Sequence, residues 1–89
     1  MKDDEKKIWD KYGFIEASDV RKKIALQLSE EPCTPTKIAE SEGFSLSHVS
    51  QKLKELSKEE IVECVNPKRR KGRLYALTEV GEKATNKLK

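Results

Sequence analysis

The sequence predicts a mainly α domain with a small β-hairpin, and three observations predict it. Five segments carry apolar residues at helical spacing, each opened by a capping residue or closed by glycine or proline. A β-branched stretch, Ile61-Val62-Glu63-Cys64-Val65, is followed across a glycine-containing turn by Arg73-Leu74-Tyr75-Ala76-Leu77-Thr78. The 89 residues leave room for one modest core, which all of these elements must share.

Residues 3–12 place Ile8, Trp9 and Tyr12 on one helical edge, with Gly13 as the expected stop before Phe14 and Ile15. This segment is expected on the core in preference to a second subunit. Ser18 or Asp19 caps a second helix to about Ser29, with Val20, Ile24, Ala25 and Leu28 as its buried stripe. Glu30-Glu31-Pro32 ends it, because proline disfavours helical geometry in the residue before it. Thr34 and Pro35 then form a helix start, the threonine accepting from a free amide and the proline needing no partner. Ile38 and Ala39 face inward, Gly43 finishes the helix, and Phe44 folds back over its end.

Ser45 caps the next helix, which runs to about Lys58. Leu46, Val49, Leu53 and Leu56, at steps of three, four and three, define its buried side. The opposite side carries Ser47, Gln51, Lys54 and Lys58, flanked by His48 and Glu55, with Ser45 at the amino end. At the carboxy terminus Thr78 caps a last helix, Glu79 lies in its first turn where negative charge suits the dipole, and Val80, Ala84 and Leu88 line one face. The chain thus divides into a helical extension (1–17), a central domain (18–78) and a final helix (79–89).

Charge is distributed unevenly. Residues 1–44 hold 8 Lys and Arg against 10 Asp and Glu, a balance of −2, whereas residues 45–89 hold 11 against 6, a balance of +5. Much of the excess sits in Asn66-Pro67-Lys68-Arg69-Arg70-Lys71-Gly72 and the adjoining Arg73, where five cations fall within six residues at a hairpin tip. Such crowding is unfavourable in isolation and suits a polyanion nearby, although lysine-rich tips also protect sheet edges. A short helix, a glycine turn and a second helix with a polar outer face is the arrangement that enters a major groove amino end first. Serine, histidine and glutamine match base edges there, while lysine and arginine meet phosphates. The candidate contacts are therefore Ser45, Ser47, His48, Gln51, Lys52 and Lys54 on the helix, with Lys68, Arg69, Arg70, Lys71 and Arg73 in the hairpin. His48 has the alternative of merely supporting the helix terminus.

Four sets of residues carry a family resemblance: Ile15 to Arg21, Thr34 to Glu40, Leu46 to Ser50 with Lys54-Glu55-Leu56, and Val62 to Pro67 with Gly72 to Gly81. From Trp9 to Leu88 the chain resembles archaeal winged helix-turn-helix regulators of the broad MarR/ArsR-like type. The resemblance implies a three-helix core plus wing with short N- and C-terminal helices. It also implies that Ser45, Ser47, His48, Gln51 and Lys54 sit in the major groove while Lys68 to Arg73 form the wing. Metal-sensing members carry clustered ligands, whereas Cys33, Cys64 and His48 are widely spread here, so no metal or other cofactor is expected. Larger members dimerise through long terminal helices, and the terminal helices of this chain are short.

The function expected is a sequence-specific double-stranded DNA-binding transcriptional regulator, with helix 45–58 in the major groove and wing 66–73 on the backbone or minor groove. Two alternatives stay open: a winged-helix protein-protein interaction module of transcription or replication machinery, and an RNA binder. A homodimer closed by the terminal helix with Trp9 and Tyr12 is expected, and no small-molecule effector is indicated. No Gly-rich phosphate loop, paired-acid cleft or ligand cluster suggests an enzyme. Met1 to Glu5 lacks the apolar stretch of a signal peptide, and no run approaches the roughly 20 residues of a membrane span, so a cytoplasmic protein is expected. Cys33 and Cys64, 31 positions apart, read as buried or half-buried thiols, with a redox-switched disulfide as the alternative.

Overall fold

A computed structural model describes residues 2–89, with side chains from Glu5 onward, so the segment from Met1 to Asp4 read above for a leader lies largely outside the description. The elements are α1 (Lys2–Glu16), α2 (Asp19–Glu30), α3 (Pro35–Glu42), α4 (Leu46–Lys58), β1 (Val62–Cys64), β2 (Tyr75–Leu77) and α5 (Glu79–Asn86). None of the described helices is long and apolar enough to cross a membrane.

The capping residues set the helix starts where the sequence places them. Ser18, Thr34, Ser45 and Thr78 each accept a hydrogen bond from the amide three residues on, at Arg21, Lys37, His48 and Gly81. Glu31 takes φ −165° and ψ 158°, the extended geometry that the following proline requires, and α2 ends there. Gly43 closes α3 at φ 72°, and the amide of Phe44 donates to the Ala39 carbonyl at 3.0 Å.

Gly13 does not stop α1. The Ala17 amide reaches the Gly13 carbonyl at 3.0 Å, and the helix runs on to Glu16. Continuation carries Ile15 into full burial, worth about 1.5–3 kcal/mol, which exceeds the roughly 1 kcal/mol that a helical glycine costs. Ile8, Tyr12 and Phe14 also pack on the core, and α1 lies along α5 and α2. Trp9 remains 50% exposed, edge-on to Tyr12 and with the Lys87 ammonium 4.2 Å from its ring centre.

The hairpin is antiparallel, pairing Val62 with Leu77, Glu63 with Ala76 and Cys64 with Tyr75, so its strands are shorter than the sequence suggests. A third piece of chain joins it: Cys33 and Tyr75 exchange two backbone hydrogen bonds, at 3.0 and 2.8 Å, along the other edge of β2. Tyr75 therefore separates the two cysteines by two inter-strand steps of about 5 Å, which puts their Cα atoms beyond the roughly 7 Å reach of a disulfide. Both thiols are free, Cys33 buried and Cys64 half-buried.

The core is built from Ile15, Ile24, Leu28, Ile38, Val49, Leu53, Leu56, Ile61 and Val62, contributed by α1, α2, α3, α4, β1 and the turn before β1. Along α5 the buried line is Gly81, Ala84 and Thr85, with Val80 and Leu88 at its borders. Gly81 is essential to that packing, because a methyl added there would collide with the Ile61 carbonyl.

Candidate nucleic-acid interface

Helix α4 is anchored by Val49, Leu53 and Leu56, all buried. Leu46, expected as the first member of that stripe, is instead 50% exposed. The correction has a geometric cause: Leu46 lies in the first turn, about 60° from Val49 at 100° per residue, where no core element extends far enough to cover it. Ser45, Ser47, His48, Gln51, Lys54 and Lys58 are all exposed, as is Ser50.

The two flanks of this face differ. On one, Arg21 from α2 donates to Glu55 Oε1 from Nε at 3.3 Å and Nη2 at 3.1 Å, and Lys52 reaches the same oxygen at 3.3 Å. The Arg21 guanidinium, with Lys52 beside it, holds the Glu55 carboxyl below the usual carboxylate range. Arg21 also donates to the Phe14 carbonyl at 3.0 Å and stacks 3.9 Å from the centre of the Phe14 ring, so one side chain ties α1, α2 and α4 together. Lys52 is thus occupied by an intrachain ion pair, and His48 on the same flank leans toward Phe44, with ring centres 6.1 Å apart.

The other flank borders the wing. Asn66 organises that loop: its Oδ1 accepts from the Leu74 amide at 2.8 Å, its Nδ2 donates to the Gly72 carbonyl at 3.2 Å, and its carbonyl accepts from the Arg69 amide at 3.1 Å. Gly72 takes φ 68°, a left-handed conformation that suits glycine. Arg73 turns back to donate from Nε to the Arg69 carbonyl at 2.6 Å.

Two adjoining clefts run between α4 and this loop. One is lined by Ser50, Lys54, Ser57 and Lys58 opposite Arg73 and Tyr75. The other is lined by Pro35, Thr36, Leu46 and Ser50 opposite Arg70, Lys71, Gly72, Arg73 and Tyr75. The outward side of α4, the amino end of α3 and the cationic hairpin tip therefore share one surface. Lys54, Lys58, Lys68, Arg69, Arg70, Lys71 and Arg73 have no ion-pair partner among the described residues, whereas Lys11, Arg21, Lys22, Lys37, Lys52 and Lys83 do.

Sequence reasoning missed Pro35, Thr36, Leu46, Ser50, Ser57 and Tyr75 as parts of this surface. Helical periodicity places Ser50 and Ser57 beside the outer face, but it does not say which flank the hairpin folds toward. The described residues contain no group of three or more metal-ligating side chains.

No protein-family model matches the sequence, and no curated protein sequence does either. Solved structures do match. A Lactococcus lactis ZitR variant superposes with a TM-score of 0.71 at 26% identity, over 80% of this chain and 49% of that one. The apo form of another ZitR variant gives 0.72 at 26% identity, over 85% and 59%. Wild-type Lactococcus lactis ZitR in complex with DNA gives 0.69 at 27% identity, over 78% and 51%. The chain spans about half the length of the ZitR chains it matches, and the fold it shares with them is the winged helix-turn-helix.

Proposed function

We propose that the chain is a sequence-specific double-stranded DNA-binding transcriptional regulator that inserts α4 into the major groove and lays its wing on the backbone or into the minor groove. The observation that carries this reading is the run of cations without carboxylate partners among the described residues, along a surface continuous with the hydroxyl and amide groups of α4. Unpaired cations attract a polyanion by releasing its counterions, and Ser47 and Gln51 offer donors and acceptors suited to base edges. The similarity to ZitR, one of whose structures holds DNA, supports the same reading.

Ser45, Ser47, Gln51, Lys54 and Ser50 face the groove in this arrangement. Lys68, Arg69, Arg70, Lys71 and Arg73 meet phosphates, and His48 contacts the backbone at the helix flank. Two copies pair through the terminal helices, where the exposed Trp9 lies beside α5. The reading involves no catalytic step and no cofactor.

Selection of bound sequences from a random duplex pool, with RNA and single-stranded DNA as competitors, tests the proposal. A two-fold symmetric consensus with half-sites about one helical turn apart is the expected outcome. Preferential retention of RNA, or retention of no nucleic acid, would overturn it.

A further inference from the structure

We propose that Leu46 is a specificity-determining residue that reads the 5-methyl group of thymine; the inference rests on the DNA-binding function proposed above. Leu46 is the first residue after the Ser45 cap of α4, and it is half exposed, whereas Leu28, Leu53, Leu56 and Leu77 are buried and Leu26, Leu74 and Leu88 half-buried. It is not among the side chains packed on the core. It shares its cleft with Pro35 and Tyr75 and with the polar or cationic Thr36, Ser50, Arg70, Lys71 and Arg73.

A half-exposed leucine in a cleft lined largely by hydrogen-bonding and cationic groups is matched by an apolar feature of the ligand. The major groove offers one, the thymine methyl, which distinguishes thymine from every other base edge. The location suits that feature. The amino-terminal turn of a recognition helix is the part that reaches base edges, and the wing cations next to Leu46 would hold the phosphates flanking the same step. The two other exposed large apolar residues among the described residues lie elsewhere: Trp9 beside Lys87 on α1, and Val65 at the base of the wing.

The experiment compares the full chain on one duplex taken from the random-pool selection and on the same duplex synthesised with deoxyuridine at each thymine in turn, which removes only the methyl. The wild-type chain is expected to bind the thymine duplex about three- to five-fold more tightly at one or more positions, the effect of burying one methyl. Leu46→Ala and Leu46→Gln should both reduce that ratio to less than about two-fold, while Leu46→Met, which keeps an apolar side chain of similar reach, should preserve it. Equal binding of the thymine and uracil duplexes by the wild type would overturn the proposal while leaving DNA binding intact. Full retention of the ratio in both polar and truncated variants would overturn it as well. Failure to bind any duplex would remove the DNA-binding function itself and this inference with it.

Discussion

Glu60 holds φ 61°, the one non-glycine residue among those described in the left-handed region. It occupies the closing position of α4, where the Ile61 amide reaches back to the Leu56 carbonyl at 2.9 Å and the Glu60 amide to Ser57 at 3.0 Å. A glutamate gives no sequence signal for such a closure, whereas Gly43 at the end of α3 does; apolar spacing placed the end of α4 near Lys58 but did not show how it closes. Glu60→Gly removes a left-handed strain of about 1 kcal/mol and should raise the thermal midpoint by about 4–8 °C. Gly81→Ala should act in the opposite sense, destabilising by about 1–3 kcal/mol because the added methyl meets the Ile61 backbone. Chemical denaturation of both variants checks the pair. Leu46 teaches a related lesson: its spacing matches the core stripe, but periodicity alone does not tell whether the core extends beneath a helix's first turn.

At the scale of elements, the five helices and the hairpin followed from caps, prolines and apolar spacing, with Ser18, Thr34, Ser45 and Thr78 as the informative residues. The third edge of the sheet at Cys33 did not, because a single bridging residue leaves no alternating pattern to read. Nor did the Arg21–Glu55 link, since residues 34 positions apart carry no local sign of contact. That link predicts an acid dependence. The folded-state pKa of Glu55 is lowered, so its contribution is fully present above the ordinary carboxylate value of 4.5 and is lost as pH falls through the folded value. Glu55→Gln should therefore flatten the stability profile below about pH 4.5, as read from denaturation midpoints across pH. On the outer face of the same helix, Ser47→Ala and Gln51→Ala should each cost about 1–3 kcal/mol on a preferred duplex and little on random duplex DNA. Competition titrations with both kinds of DNA separate the two outcomes, and equal losses on both would remove base reading by these side chains.

For the whole molecule, the uneven charge of the two halves foretold that one surface would be basic, but only the fold shows how α4, the amino end of α3 and the wing come to share it. Acidic groups nearby are held away: Glu55 by Arg21 and Lys52, Glu31 by Lys37 at 2.6 Å. The surface left between the clefts is cationic with a hydroxyl-rich floor, and its central claim is contact with a duplex through both α4 and the wing. The most direct measurement is the salt dependence of duplex affinity for the wild-type chain beside a chain with Lys68, Arg69, Arg70, Lys71 and Arg73 all replaced by glutamine. With three to five of these making phosphate contacts, the log-log slope should become shallower by roughly 3–4 per subunit in the substituted chain. An unchanged slope, or an affinity in the wild type that does not respond to salt, would contradict the account.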